Sequence, residues 1–153
     1  MIEFDVREIV PHSGTMSLLD QVLECDEEAL SAIVEIRQDS LFVTEGGVPA
    51  AIGIEYMAQA VAAWAGVQDR RAGRDVSIGF LVGTRRYRSS HPFFAVGSRL
   101  RISVRRELQG DNGLSVFDCR IENDQLEVSA NLNVFQPDDV DAFLEQESAK
   151  ARL

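Results

Sequence analysis

The sequence predicts an α+β protein in which one long apolar helix is wrapped by a curved antiparallel sheet of about five or six strands. Residues 49–66 are rich in alanine and apolar nearly all round, which is typical of a helix that is buried on most sides. The segments on either side alternate apolar and polar residues, which is typical of half-buried strands. A helix with a single sheet to lie on leaves apolar surface exposed, so the pattern also favours a dimer.

The N-terminal third predicts a helical turn and a pair of strands. Residues 4–9 read as a short helical turn ahead of a loop at 10–14. Two alternating segments, 16–24 and 30–37, flank the acidic turn at 26–28, and this spacing predicts an antiparallel pair. The central helix then begins with Pro49 in its first turn and ends near Gly66.

The remainder of the chain predicts a four-stranded region and a helical tail. An Asp-Asn-Gly turn at 111–113 is a strong hairpin signal. The four predicted strands cover residues 76–89, 99–108, 114–121 and 126–135. Residues 138–149 start with an aspartate cap and predict a short acidic helix. No break in composition suggests a linker, so residues 1–153 are expected to form one domain.

Length and composition favour a soluble, cytoplasmic protein. The chain has 153 residues, of which 45% are hydrophobic and 26% charged, enough to bury a core and too apolar for disorder. We expect no membrane-spanning helix, because no apolar run reaches the roughly 18–20 residues that cross a bilayer. The first residues contain neither a basic start nor an apolar signal stretch, so a cytoplasmic location without membrane insertion is expected.

The two cysteines, Cys25 and Cys119, do not suggest a metal site or a redox pair. They stand far apart and form neither a CxxC motif nor a cysteine–histidine spacing, whereas a zinc site needs about four such ligands. We therefore expect no metal and interpret both cysteines as small hydrophobic core residues.

The charge is unevenly distributed along the chain. The net charge of −10 argues against nucleic acid and anionic membranes as partners. Residues 70–106 nevertheless contain ten arginines and one acidic residue, Asp75, a net of +9 that leaves −19 for the rest. These arginines are either the solvated faces of strands or a docking surface for an extended anionic partner.

Glu55 is the main candidate for chemistry. Between residues 46 and 68 it is the one side chain that carries a charge at neutral pH. An unpaired buried carboxylate costs several kcal/mol, so Glu55 must reach a polar environment, where it can act as a general acid or base. The alternative is a structural residue satisfied by a helix N-terminus or by an arginine across a dimer. Gln59 shares the same helix face and is placed to orient the carboxylate or a bound carbonyl.

Other residues of the helix suggest close packing. Gly53 and Gly66 each lower helix propensity by roughly 1 kcal/mol, which makes sense where another backbone or a thin ligand arm comes close. Ile52 and Gly53, near the start of the predicted helix, are therefore candidate substrate-binding residues. Tyr56, Met57 and Trp64 are interpreted as core or dimer packing.

The chain contains two histidines. His12 follows Pro11 in a predicted loop, and loops commonly bring chemistry to a rigid scaffold. It is a second catalytic candidate, although a histidine that only hydrogen-bonds to backbone is an open alternative. His91 precedes Pro92 and is interpreted as a turn residue.

Three stretches, in the same order over about residues 5–136, resemble the hotdog-fold dehydratases that act on 3-hydroxyacyl chains carried by acyl carrier protein. Residues 9–22, IVPHSGTMSLLDQV, resemble the family's opening Leu-Pro-His-Arg-x-Pro-Met/Phe-Leu-Leu-Val-Asp-Arg-Val. Residues 55–60, EYMAQA, resemble Glu-Ala-Met-Ala-Gln-Ala on its central helix, and residues 85–100 resemble Phe-Arg-Arg-Pro-Val-x-Pro-Gly-Asp-x-Leu. The opening is similar to that of the ApeP-like subgroup, found in aryl-polyene pigment and related pathways.

The resemblance implies a hotdog fold, a dimer of identical or different hotdog subunits and dehydration of a 3-hydroxyacyl thioester. The substrate would arrive on the phosphopantetheine arm of a carrier protein, with no further cofactor. Arg85, Arg86 and Arg88 would flank the tunnel mouth and dock that carrier.

One departure from the family bears on the mechanism. In the general family a histidine in a Gly-His-Phe-Pro stretch precedes the helix glutamate by fourteen residues, and here that position is Leu41. Leucine moves no proton, so Glu55 and His12 remain as the acid–base candidates. Three functions compete: a dehydratase, a catalytically weak hotdog subunit that supports an active partner, and an acyl thioesterase.

Overall fold

Six antiparallel strands form the main sheet of the protein. The computed structural model describes residues 2–9, 17–76, 79–110 and 112–136. The strands of this sheet are β1 (Gln21–Cys25), β2 (Ala29–Glu35), β4 (Phe80–Ser89), β6 (Arg99–Gln109), β7 (Leu114–Glu122) and β8 (Glu127–Phe135). Their spatial order is β1-β2-β6-β7-β8-β4, which leaves β1 and β4 at the edges.

The inner face of the sheet is a continuous apolar surface. Leu30, Val104, Cys119 and Ala130 occupy one register row across β2, β6, β7 and β8, and all four are buried. Cys119 is therefore a core residue, as expected, and burial raises the pKa of its thiol. The outward residues between these rows are mostly polar, as the period of two requires.

The central helix, α2, covers Gly53–Arg71 and packs against β2, β6, β7, β4 and β8. Tyr56, Met57 and Trp64 are buried in the core, as predicted. The opposite side of α2 is covered by the short helix α1 (Val6–Ile9). This two-sided burial explains why the helix is apolar nearly all round.

The predicted bounds of the helix, 49–66, are wrong at both ends. Pro49 has an extended backbone and belongs to β3 (Val48–Pro49), after which a 3-10 turn over Ala50–Ile52 leads into α2. Gly66 lies inside the helix, where a β-carbon would collide with the carbonyl oxygen of Ile9. The chain leaves the helix after Arg71 and reaches a positive φ of 74° at Gly73, which glycine tolerates.

A small second sheet lies beside the start of α2. β3 pairs with β5 (Phe93–Phe94), and Ala50 donates a backbone hydrogen bond of 2.9 Å to Pro92. Two strands of two residues carry too short a pattern to be predicted from the sequence. This pair of strands fixes where the helix begins.

The six longer strands confirm the predicted order. The first begins at Gln21 rather than at residue 16, and the third at Phe80 rather than at residue 76. The predicted loop at 10–14 and the predicted helix at 138–149 lie outside the described residues.

By length and composition, residues 50–71 do meet the criterion for a membrane-crossing helix, contrary to the expectation from the sequence. Just over half of this segment is buried within the protein, because it is the core helix of the sheet. The composition therefore reflects burial against the strands.

Candidate active site

Glu55 lies in the first turn of α2, directly after the 3-10 turn that precedes the helix. Its side chain is half-buried. The Nε2 of Gln59, one turn further along, donates a hydrogen bond of 3.1 Å to its Oε1. The structure thus gives the Glu55 carboxylate a polar partner within an apolar helix, as the sequence required.

Gln59 connects Glu55 to the N-terminal segment. It is fully buried, and its Oε1 accepts a hydrogen bond of 2.8 Å from the backbone N–H of Leu18. The amide therefore fixes the segment before β1 and the carboxylate at once. The orienting role of Gln59 stays a prediction. The part of Leu18 lies in its backbone, which no residue pattern reveals.

The start of α2 is tightly packed. The Tyr87 hydroxyl of β4 donates a hydrogen bond to the carbonyl of Ala50, and a β-carbon on Gly53 would meet this same hydroxyl. The N–H of Gly53 bonds to the carbonyls of Ala50 and Ala51. Gly53 thus accommodates Tyr87, while Ile52 beside it is half-buried against the core. Substrate binding by Ile52 and Gly53 stays a prediction.

Leu41, in the position of the family's histidine, lines a cavity of about 240 Å³ together with Leu18, Val34 and Tyr56. The next residue, Phe42, has a φ of +71° and a ring that is 43% exposed. A bulky side chain rarely adopts this left-handed conformation, and such strain concentrates at functional sites.

A β-bulge on β4 gathers three arginines on the surface. Arg85 pairs with Asn131 and Arg88 with Ser129, so Arg86 and Tyr87 together face one residue of β8. Arg86 has a φ of +55°. Without this extra residue, strand alternation would turn Arg88 inward and Tyr87 outward. The bulge instead leaves the three arginines exposed and Tyr87 half-buried.

Eight of the ten arginines in residues 70–106 fall into two groups, while Arg106 lies over the Trp64 ring. Five of them form ion pairs: Arg71 with Glu3, Arg74 with Asp69, Arg99 with Glu35, Arg101 with Glu24 and Arg105 with Glu28. Arg85, Arg86 and Arg88 form none with the residues that the structure describes. The first group fits the solvated-face interpretation, and the bulge group keeps its charge available to a partner.

A larger depression, of about 420 Å³, lies over β1, β2, β6 and β7. It is lined by Arg101, Arg105 and Arg120, which pair with acidic neighbours. Glu55 and Gln59 are not among its lining residues. It also shares no lining residue with the cavity beside Leu41, so the two are separate.

The remaining candidates are placed as follows. His12 lies outside the described residues, so its catalytic role stays a prediction. His91 is an exposed turn residue whose Nδ1 lies 2.8 Å from the Ser90 hydroxyl. Both cysteines are free thiols, and burial raises the pKa of Cys25 to about 11. Within the described ranges, no cluster of His, Cys, Asp or Glu suited to a metal ion occurs.

Comparison with solved structures identifies the class of fold. The dehydratase heterocomplex ApeI:P from Xenorhabdus doucetiae contains a chain with 29% identity and a TM-score of 0.84, covering 94% of this chain and 97% of that one. Cj0977, a sigma28-regulated virulence protein from Campylobacter jejuni, has 14% identity and a TM-score of 0.61, with coverages of 88% and 98%.

A mutant of the thioesterase enzyme SAV0944 from Staphylococcus aureus subsp. aureus Mu50 has 15% identity and a TM-score of 0.53, with coverages of 76% and 93%. This likeness and that to Cj0977 concern the fold alone. No match is found among curated proteins.

A core helix wrapped by an antiparallel sheet defines a hotdog fold, and the similar chain of 29% identity from a dehydratase heterocomplex places the protein in the dehydratase class. The family model described as ApeP dehydratase matches residues 4–145. The chain belongs to the ApeP-like family.

Proposed function

We propose that this protein dehydrates a 3-hydroxyacyl thioester carried on an acyl carrier protein, in aryl-polyene or related fatty-acid or polyketide-type synthesis. The α-proton and the β-hydroxyl leave as water, and the product is the trans-2-enoyl thioester. Dehydration of this kind needs a base at the α-carbon and an acid at the departing hydroxyl, and no redox step.

The hydrogen-bonded series Glu55–Gln59–Leu18 is the observation that carries the proposal. It holds a carboxylate at a defined position in the helix's first turn. It also ties that carboxylate to the segment that follows His12, since Leu18 stands six positions after it in the sequence. In this proposal the His12 imidazole takes the α-proton and Glu55 protonates the departing oxygen, while Gln59 orients Glu55.

The bulge arginines are the proposed carrier-protein surface. Arg85, Arg86 and Arg88 are exposed on an edge strand, and arginine suits an anionic partner through charge-assisted hydrogen bonds. Tyr87, between them in sequence, reaches the start of α2, so the surface lies next to the helix that carries Glu55. The phosphopantetheine arm would enter beside Ile52 and Gly53.

The test is dehydration of a 3-hydroxyacyl carrier-protein thioester by the purified full chain. Glu55→Gln and His12→Ala are each expected to lower the rate by roughly 10²-fold or more, the usual contribution of a general acid or base. Glu45→Gln, at an exposed loop position, is the matched control and should retain the wild-type rate. Full activity in Glu55→Gln would refute the mechanism, and release of free thiol would indicate a thioesterase.

A catalytically weak subunit in a dimer with an active hotdog partner is the second candidate. It is favoured by Leu41 in the position of the usual histidine and by the relative that forms a dehydratase heterocomplex. Native mass measurement of the chain co-expressed with neighbouring hotdog subunits distinguishes a homodimer from a heterodimer. An inactive chain that restores activity to such a partner would establish this function. For both candidates the proposed location is the cytoplasm.

A further inference from the structure

The cavity beside Leu41 contains a buried polar group whose function the dehydration scheme leaves open. Tyr56 is 2% exposed and lines this cavity of about 240 Å³. Its hydroxyl forms no hydrogen bond with any residue in the described part of the chain. Buried polar groups in folded proteins almost always have partners, so this exception calls for an explanation.

Tyr87 provides an internal comparison. The chain has two tyrosines, and the hydroxyl of Tyr87 is bonded to the carbonyl of Ala50. An aromatic contact with Phe94, with ring centroids 5.9 Å apart, holds the ring of Tyr56. Phenylalanine would satisfy that contact equally well, which leaves the Tyr56 hydroxyl without a structural purpose.

The charges around the cavity indicate what it accepts. Its rim carries three acidic residues, Asp20, Glu35 and Asp39, and one basic residue, Arg37. Arg37 is already paired with Asp20 at 3.0 Å and with Glu35 at 2.9 Å, and Asp20 also accepts the backbone N–H of Glu35 at 2.7 Å. The rim is therefore net negative with its cation occupied, which disfavours carboxylates and phosphates.

The state of the Tyr56 hydroxyl agrees with a donor role. Burial raises the pKa of Tyr56 to about 12, and the negative charge of Asp20 adds to the shift. A phenol with the ordinary pKa of 10.0 is already protonated at neutral pH, so the Tyr56 hydroxyl can donate a hydrogen bond to a neutral acceptor. Leu41 and Val34 supply an apolar wall.

We propose that this cavity binds a neutral acyl group, with the Tyr56 hydroxyl donating a hydrogen bond to its carbonyl oxygen. The inference rests on the proposed function for the identity of the acyl group, and it assigns to Tyr56 a substrate-binding role at the place where Leu41 removes the family's histidine. A neutral phenol that donates to this carbonyl would also stabilise the negative charge that develops there when the α-proton leaves.

The test measures binding without turnover. The probe is the 3-hydroxybutanoyl amide of aminopantetheine, a neutral analogue in which nitrogen replaces the thioester sulfur, and butanoate is the charged comparison. With 13Cζ-labelled tyrosine, the full chain gives two signals. Addition of the probe is expected to shift the Tyr56 signal, which is identified by its loss in Tyr56→Phe, and butanoate is expected to bind more weakly than the amide.

The two tyrosine-to-phenylalanine variants separate binding from folding. Tyr56→Phe is expected to lower affinity for the amide roughly 3- to 10-fold, the equivalent of one hydrogen bond, with an unchanged or higher Tm because it removes a buried unpaired hydroxyl. Tyr87→Phe is expected to lower the Tm, because it removes a hydroxyl that is bonded to the carbonyl of Ala50. Equal amide affinity in Tyr56→Phe and wild type, or no Tyr56 signal shift, would overturn the inference.

These outcomes are independent of the dehydration assay. If the chain binds the amide through Tyr56 but dehydrates nothing, the proposed enzyme activity fails and the acyl site stands. If Glu55-dependent dehydration is observed and Tyr56→Phe binds like wild type, the acyl site fails and the proposed activity stands.

Discussion

Gln59 donates a hydrogen bond of 3.1 Å to Glu55, one turn earlier on the same buried helix. Because the same side chain accepts the N–H of Leu18 at 2.8 Å, a single amide satisfies a carboxylate and a backbone donor. Replacing Gln59 therefore affects stability and the candidate site together.

Gln59→Leu is expected to destabilise the protein by about 1–3 kcal/mol, since it leaves the half-buried N–H of Leu18 without this acceptor. Urea unfolding measures this change. Gln68→Leu is the matched control on the same helix, because the Gln68 side chain bonds a turn carbonyl, that of Asp26, near the surface, and it should cost less. Equal losses of unfolding free energy in the two variants would show that the hydrogen bonds of Gln59 contribute no more to stability than those of Gln68.

Replacement of Arg85, Arg86 and Arg88 by alanine is expected to weaken binding of an acyl carrier protein. The wild-type complex should also weaken as salt rises, because exposed charges are screened. The control replaces Arg99, Arg101 and Arg105 by alanine. These substitutions remove the same amount of positive charge, but from arginines that are already paired with acidic residues. Calorimetric titration at two salt concentrations measures both. Affinity that is flat in salt and equal in the two triple variants would leave the bulge arginines as solvated charges.

Gly66→Ala is expected to lower stability by about 1–3 kcal/mol, the usual cost of overpacking, although alanine favours a helix by roughly 1 kcal/mol. The added β-carbon would meet the backbone carbonyl of Ile9, and backbone cannot move aside as a side-chain tip can. Gly83→Ala, where the nearest side-chain atom is 4.0 Å away, is the control. Thermal unfolding measures the change in stability. A Tm for Gly66→Ala above that of the wild type would contradict the packing of α1 on α2.

Alkaline titration is expected to show both tyrosines ionising late. Burial raises the pKa of Tyr56 and of Tyr87 from 10.0 to about 12. The unfolded chain loses these protons first, so their contribution to stability is complete below about pH 10 and is lost as pH rises towards 12. Absorbance at the phenolate wavelength, followed beside circular dichroism, measures both events. Phenolate appearing near pH 10 in the folded protein would contradict the burial of these rings.

The sequence was sufficient for the main features of the fold because they rest on local periodicity. Alternation placed the six longer strands, and the apolar run placed α2 with Glu55 and Gln59 on one face. The ends of α2 were mispredicted because a proline such as Pro49 usually marks the first turn of a helix and a glycine such as Gly66 usually marks its end. Here Pro49 closes a strand pair and Gly66 makes room for Ile9, and both are contacts with residues distant in sequence.

The amino-acid sequence by itself determined the class of fold, the family and the isolated helix carboxylate, since periodicity and motif spacing are properties of neighbouring residues. The tertiary structure alone decided how the arginines differ and that the Tyr56 hydroxyl has no hydrogen-bond partner among the described residues. A bulge at Arg86 sets the outward direction of Arg88 and the inward direction of Tyr87. The cavity that joins Tyr56 to Leu41 arises from segments that only folding brings together, so neither feature has a signature along the chain.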